Sequence, residues 1–365
     1  MELDFDNLGC TERERALFEA ACAGMEPGVA RVLGRVVRLD RGFPLVCHEG
    51  GTQRAEHAVS FIKTADSLAC VGDWVVLELP EGHDMGLIAA VLPRRQEFSR
   101  KDPAEKTGRQ VLAANVDTIF VLHALSGEAL NERRLEREMV VAHESGACPV
   151  VVLSKADLAT SLESDVAAAR GVAPGVDVIV ESKADGRGIE EIRAHIPQGS
   201  TAVLLGSSGV GKSSLINALA GEERAATGAV REGDDKGRHT TVARSMIAVP
   251  GGGVIIDTPG IRAVALWDSV EGVQAAFPEI AELAGQCKFR DCTHREEPGC
   301  AVRAAVEAGE VEPRRLASYL DLQAEMAMLA ERREAARRLE RRKDGQAPSK
   351  TVRHHYNRST KLRRH

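Results

Sequence analysis

The residues Leu204–Leu215, reading LLGSSGVGKSSL, carry the densest chemistry in the chain. Gly206, Gly211, Lys212 and Ser213 fill the template G-x-x-x-x-G-K-[ST] of a phosphate-binding loop. Small residues let successive backbone N–H groups converge on one anionic point, and a helix starting near Lys212 adds its positive dipole end. Gly206, Ser207, Ser208, Gly209, Val210, Gly211, Lys212, Ser213 and Ser214 are therefore expected to cradle phosphates. Lys212 should reach the β and γ phosphates as a catalytic cation, with the Ser213 hydroxyl on Mg²⁺. A plain Gly/Ser turn is the bland alternative. The apolar strand Ala202–Leu205 in front and the helical run Lys212–Ala220 behind argue against it.

Three other stretches carry nucleotide chemistry. Ser154-Lys155-Ala156-Asp157, followed by Leu158, is a Ser variant of the Asn-Lys-x-Asp guanine reader. Asp157 can accept from both the N1–H and the N2 amino group of guanine, which adenine lacks, while Lys155 can lie along the base plane. Alone, such a tetrapeptide would usually be a helix cap. Ser182-Lys183-Ala184 offers a backbone N–H to the guanine O6. In Asp257-Thr258-Pro259-Gly260, Asp257 would hold Mg²⁺ through water and the Gly260 N–H would sense the γ-phosphate. Gly237-Arg238-His239-Thr240-Thr241 is a candidate first switch loop, with Thr240 or Thr241 completing the Mg²⁺ shell.

These loops need a sheet to gather them. The runs Val116–Leu122, Pro149–Leu153, Val176–Val180, Ala202–Leu205, Met246–Val249 and Val254–Ile256 read as strands. Helices are expected at Asn131–Ser145, Ser164–Arg170 and Ile189–Ile196. Such alternation predicts a parallel sheet covered on both faces, with ligands at the carboxyl ends of its strands. The base-reading stretches precede the phosphate loop, whereas they usually come after it. That order implies a circularly permuted α/β P-loop GTPase domain.

Upstream, Thr11–Ala23 reads as a helix with Thr11 and Glu14 as a capping box. Short β-type runs come next at Ala30–Leu39, Pro44–Cys47, Ala58–Ile62, Trp74–Leu79 and Gly86–Leu92. Five strands in so short a span suit a small β-barrel of the OB-fold type. Phe43, Phe61 and Trp74 are its few stacking faces, and Arg31, Arg35, Arg38 and Arg41 its candidate phosphate contacts. Downstream, Cys287, Cys292, His294 and Cys300 are spaced C-x4-C-x-H-x5-C, a closed tetrahedral set for one structural Zn²⁺. Helices are then expected at Ala301–Ala308 and from Arg314 to about Lys343.

The resulting plan is multidomain. It has a helical extension over 1–27, a barrel over 28–95, a linker over 96–110 and a GTPase domain over 111–270. A zinc-binding, mostly helical C-terminal domain over 271–343 and a basic tail over 344–365 complete it. At 365 residues more than one domain is expected, and 43% hydrophobic residues suffice for real cores. No apolar run approaches the roughly 18 residues that span a bilayer, and the acidic N-terminus does not read as a signal peptide. A cytoplasmic monomer with no membrane partner is expected. Glu331–His365 holds 13 Lys/Arg against 4 Asp/Glu, leaving 35 basic and 50 acidic groups before it, so the basic end should seek an anionic partner.

Taken in order, QVLAANVD (Gln110–Asp117), SKAD, GSSGVGKSSL, GRHTT, DTPG and CKFRDCTHREEPGC resemble the circularly permuted GTPase family called ribosome small-subunit-dependent GTPase A. The resemblance covers nearly the whole chain. It implies GTP hydrolysis stimulated by the small ribosomal subunit, rRNA contacts, and a role late in that particle's maturation. Three departures matter. Ser154 replaces the usual Asn, so one brace between base loop and phosphate loop is expected to be lost. Gly209 stands where potassium-activated GTPases carry Asn, so no potassium dependence is expected. Ile261 comes after DTPG where Ras-like enzymes place the water-orienting Gln, so intrinsic hydrolysis should be slow. A partner must then complete the site, by ordering Glu222–Arg244 and bringing His239 toward the attacking water; the alternative is that His239 only caps the switch loop. An rRNA-binding module with structural nucleotide, and an enzyme using the nucleotide for other chemistry, are the rival readings.

Overall fold

Thr11 begins the first helix as its spacing predicts. Its N–H donates to the Glu14 carboxylate at 3.1 Å, and α1 runs Glu12–Ala23. The computed structural model describes residues 3–40, 43–64, 67–101, 109–127, 129–221, 244–257 and 270–346.

After α1 come β1 (Ala30–Asp40), β2 (Phe43–His48), β3 (Gly51–His57), α2 (Val59–Thr64), β4 (Trp74–Leu79) and β5 (Gly86–Val91). Antiparallel pairs β1–β2, β2–β3, β4–β5 and β1–β4, with the parallel pair β3–β5, close a five-stranded barrel. One expected strand is displaced. The expected strand Ala58–Ile62 instead enters α2 at Val59, with the Ile62 N–H donating to the Ala58 carbonyl at 3.0 Å, while β3 takes both sheet edges that such a strand would need.

Two of the expected RNA-facing groups are interior. Trp74 is buried. Arg35 is 1% exposed and donates to the carbonyls of Leu8, Gly72 (3.1 Å) and Asn115 (3.2 Å), with its guanidinium 5.2 Å from the Trp74 ring centroid. Burial lowers its pKa to about 10. Arg35 thus joins the barrel to the N-terminal segment and to the turn at Asn115. Arg31 pairs with Glu78, and Arg38 with Asp40, whereas Phe43 stays exposed; Arg41 lies outside the described residues.

The stretch expected as a linker holds much of a hairpin, β6 (Glu97–Lys101) against β7 (Arg109–Ala114). Beyond it the alternation is as expected: β8 (Thr118–Ala124), α3 (Glu132–Glu144), β9 (Cys148–Ser154), α4 (Leu162–Val172), β10 (Val178–Val180), α5 (Ile189–Ala194), β11 (Thr201–Leu205), α6 (Lys212–Ala220), β12 (Arg244–Ala248) and β13 (Val254–Asp257). The strand order is β10-β9-β8-β11-β13-β12. All neighbours are parallel except β12–β13, because the few residues between them allow a hairpin but no crossover. β12 also pairs with β1 (Arg38↔Ser245, Leu39↔Arg244), which joins barrel and α/β sheet into one sheet of 11 strands.

The C-terminal helices α7 (Val270–Ala276), α8 (Pro278–Ala284), α9 (Ala301–Ala308) and α10 (Pro313–Gln346) form a cluster in which α7 and α10 pack onto α3. Fully buried Glu136 of α3 accepts from Arg314 and Arg315 of α10, each at 3.1 Å. Arg315 also donates to Glu279 (2.7 Å) and to the Ala276 carbonyl (2.6 Å), and lies 4.1 Å from the Phe277 ring centroid. Glu136→Ala would leave buried Arg315 with one carboxylate, Glu279, in place of two, a loss of up to about 3–5 kcal/mol, the range for removing one partner of a buried pair. Differential scanning calorimetry should show the transition that includes α10 falling by several degrees; an unchanged transition would refute the clamp.

Candidate nucleotide site and metal centre

The carboxyl ends of β8, β9, β10, β11 and β13 converge at one edge of the sheet. Leu205 leads into Gly206, whose φ is +152° and whose Cβ, were there one, would sit 2.6 Å from the Leu122 carbonyl oxygen. Only glycine passes so close to the neighbouring strand end. Gly211, at φ +104°, turns the chain into α6, so the loop Gly206–Gly211 wraps the N-terminus of that helix. The Lys212 ammonium donates to the carbonyls of Gly206 and Ser207, both at 2.7 Å, which fixes its charge at the loop. Asp257 ends β13. Burial raises its pKa and the Lys212 charge opposes that rise, so the two groups feel each other across the cleft.

The base loop is braced after all. Ser154 is buried, and its Oγ lies 2.6 Å from the Val210 carbonyl oxygen and 3.2 Å from that of His123. The serine hydroxyl reaches the phosphate loop itself, so the expected loss of this brace does not occur. Lys155 takes a left-handed conformation (φ 56°), and Ala156–Leu158 forms a single 3-10 turn carrying Asp157. Ser182 Oγ donates to Asp157 Oδ1 at 2.9 Å and accepts the Ala184 N–H at 3.2 Å. The Ala156 N–H donates to the Glu181 carbonyl at 3.0 Å. Two stretches far apart in sequence thus form one unit around the Asp157 carboxylate, with Lys183 and Leu158 exposed beside it. Ser213 and Ser214 are half-buried at the start of α6. His239, Thr240, Thr241 and Gly260 lie outside the described residues.

Several supporting residues escaped sequence reasoning. His123, at the end of β8, is within 2.7 Å of Glu138 on α3. Glu181 is buried behind the base loop, where burial, helped by the Asp157 charge, raises its pKa. Only its place just before Ser182 could have drawn notice.

Some distance along the chain, Cys287 Sγ, Cys292 Sγ, His294 Nδ1 and Cys300 Sγ all lie within 4.8 Å of one another. Bond lengths of about 2.3 Å to sulfur and 2.0–2.1 Å to nitrogen in a tetrahedral zinc site imply S···N near ~3.6 Å and S···S near ~3.8 Å. The observed Cys287–His294, Cys300–His294 and Cys287–Cys300 separations are 3.6, 3.4 and 4.0 Å. The donor set therefore fits a tetrahedral metal ion. His294 reaches it from a left-handed backbone (φ 60°), and its ring lies 6.1 Å from that of Tyr319 on α10. Glu297, unnoticed in the sequence, ties the knuckle together. It accepts the Thr293 hydroxyl and the N–H groups of Thr293 (3.0 Å), Arg295 (3.0 Å) and Glu296 (3.2 Å), which hold its pKa down to about 2.

Known proteins share this plan. The RsgA GTPase family model matches residues 91–267. A protein of Streptomyces avermitilis named small ribosomal subunit biogenesis GTPase RsgA is 47% identical over 316 residues, covering 85% of this chain and 84% of that protein. A protein of Lactiplantibacillus plantarum, small ribosomal subunit biogenesis GTPase RsgA 2, is 41% identical over 90% of this chain and 93% of its own length. Among solved structures, YjeQ from Thermotoga maritima superposes with a TM-score of 0.62 at 27% identity, covering 82% of this chain and 99% of that one.

Proposed function

The chain belongs to the RsgA GTPase family, and from that premise we propose that it binds the small ribosomal subunit, acts in its late maturation and hydrolyses GTP to GDP and phosphate to trigger its release. The observation that carries the reading is the convergence of the Gly206–Ser213 loop, the Asp157–Ser182 unit and Asp257 at one sheet end, in permuted order. The loop from Gly206 to Ser214 holds the phosphates, with Gly260 at the γ-phosphate. Ser154, Lys155, Asp157, Leu158, Ser182 and Lys183 surround the guanine. Ser213, Asp257 and Thr240 or Thr241 hold Mg²⁺, which draws charge from the phosphates. Cys287, Cys292, His294 and Cys300 hold one Zn²⁺, a structural ion with no open position.

Ile261 leaves the enzyme without a water-orienting Gln, so hydrolysis waits for the ribosome, with His239 brought toward the attacking water. GTP orders the switch segments and favours binding; hydrolysis relaxes them. The barrel, the zinc region and the basic tail supply phosphate-directed, salt-sensitive rRNA contacts. The protein acts as a cytoplasmic monomer. Turnover with purified small or large subunits tests this reading: stimulation by the small subunit alone supports it. Turnover indifferent to both, with RNA binding blind to nucleotide, would favour a module using nucleotide structurally. His239→Ala should lose most of the stimulation, and full stimulation in that variant removes His239 from the chemistry.

The base reading makes its own prediction. Asp157→Asn replaces an acceptor by a donor toward N1 and N2 of the base, while xanthine offers a carbonyl at position 2. The variant should lose at least ~100-fold in GTP affinity, the scale of leaving hydrogen-bonding groups mismatched in a site built for them. Competition between fluorescent GTP and XTP should show the preference turning toward XTP; unchanged selectivity would put the base elsewhere.

A further inference from the structure

A cavity of about 260 Å³ opens beside the phosphate loop. One wall is Ser207–Val210, and Lys155 stands at its edge; the opposite wall is the end of β8 and the first turn of α3, with Asn131 and Arg134. Lys155 and Ser207–Val210 also belong to the base and phosphate loops, so the cavity shares a wall with the nucleotide site; Lys212, Ser213 and Asp157 do not line it, and its own side is the end of β8 and the start of α3. Two cations, Arg134 and Lys155, meet there with the Ser126, Ser207 and Ser208 side chains and the Asn131 amide. None of the described lining residues is acidic. The N-terminus of α3, a helix of 13 residues, borders the same space; Asn131 Oδ1 already accepts the Arg134 N–H there at 3.0 Å, so the helix contributes through its dipole and not as an uncapped end.

Arg134 is held in a defined position. Its Nε donates to Glu138 at 3.0 Å, and the other oxygen of that carboxylate lies 2.7 Å from His123 Nε2. This arrangement directs the guanidinium by one edge, and a guanidinium binds oxyanions through paired N–H groups. The volume far exceeds what one water needs, so the space admits a phosphoryl oxyanion together with its bound waters.

We propose that this cavity is a second phosphate site, which takes a phosphoryl oxyanion next to the nucleotide with Arg134 as its principal ligand. The proposal rests on the nucleotide reading above. Two sources share the chemistry: orthophosphate left by GTP hydrolysis, and a backbone phosphate of RNA docked against this face. Arg134 then gives the enzyme either a station for its product or a contact that reports the docked RNA to the phosphate loop.

The test uses the full chain saturated with MgGDP in phosphate-free buffer. Orthophosphate is titrated into the parent protein, Arg134→Gln and Arg134→Lys, with ³¹P line broadening as readout, and small-subunit affinity is measured for each. MgGDP should bind all three proteins alike, and the thermal transition should not move. If the occupant is product, the parent binds orthophosphate saturably, Arg134→Gln at least tenfold more weakly and Arg134→Lys in between. If the occupant is RNA, small-subunit affinity in the GDP state falls at least tenfold in Arg134→Gln and its salt dependence flattens, with Arg134→Lys again in between. Orthophosphate binding and subunit affinity both unchanged in Arg134→Gln overturn the proposal. Failure of MgGDP to bind the parent would instead overturn the nucleotide reading.

Discussion

Lys212→Ala should reduce small-subunit-stimulated GTP turnover by on the order of 10²–10³-fold, the range found when one preorganised charge-stabilising donor is removed. The reason lies in how the side chain is held. Two bonds of 2.7 Å, to the carbonyls of Gly206 and Ser207, fix the ammonium at the loop. Charge accumulating on the β–γ bridge and the transferred group would then meet a cation that needs no reorganisation. Alanine removes the charge and leaves the loop carbonyls facing the phosphates, so affinity for GTP should fall as well. Lys212→Arg does not rescue, because a planar fork on a longer stem cannot occupy the pocket of a compact ammonium. Single-turnover hydrolysis at saturating subunits separates loss of binding from loss of chemistry. Turnover within a few-fold of the parent would mean that the loop binds phosphate without Lys212 taking part.

The loop was legible because its geometry is local: glycine where no Cβ fits, and a lysine placed by the first turn of a helix. The strands β8, β9 and β11 were legible because two-sided burial selects continuous Val, Ile and Leu. Elements whose logic is long-range were not. β3 reads GTQRAEH and buries only Ala55, so its sequence carries almost no hydrophobic signal; the partner strands make it. β6, EFSRK, is equally polar and depends on β7. Arg35 reads as a candidate phosphate contact because it stands in a run with Arg31, Arg38 and Arg41. Leu33 to Val37 are all buried, since the N-terminal segment and the Asn115 turn cover that part of β1. Ser154 misled in the opposite direction. Replacement of an amide by a hydroxyl predicted a lost contact, but the Val210 carbonyl comes within 2.6 Å. The charge pairs between α3 and α10 join residues about 180 positions apart, which no spacing rule could match. The result is that the loops gathered at the sheet end could be located from sequence, while most of the groups holding them in place could not.

With Cys287, Cys292, His294 and Cys300 holding zinc as proposed, its removal should affect the other half of the molecule just as strongly. Stripping Zn²⁺ with a high-affinity chelator, or substituting Cys292→Ser, should melt the Cys287–Cys300 knuckle and loosen α8, α9 and α10. Structural zinc in small peptides contributes about 10–16 kcal/mol of apparent binding energy at neutral pH, most of it folding energy. Without the ion, three sulfurs and an imidazole crowd within 4.8 Å of one another with nothing to neutralise or separate them. The effect should spread, because Cys287, Cys292 and Cys300 belong to the same apolar core as Phe277, Val302 and Tyr319. It should weaken at α3, which shares that core through Leu135, Met139 and Val140 but is also capped by Asn131 and packed on β8 and β9. The nucleotide unit is built wholly from the sheet ends, so MgGDP affinity should stay within about threefold, a shift of under ~0.7 kcal/mol. Subunit-stimulated turnover should collapse, since the helical region no longer presents a fixed surface. Metal analysis, hydrogen exchange over α8–α10 and nucleotide titration of the same sample provide the check. A stripped protein that keeps its exchange protection would show that the four ligands pack without a metal. A stripped protein that loses nucleotide affinity in parallel would show that the two regions fold as one unit, and the boundary placed at α3 would be wrong.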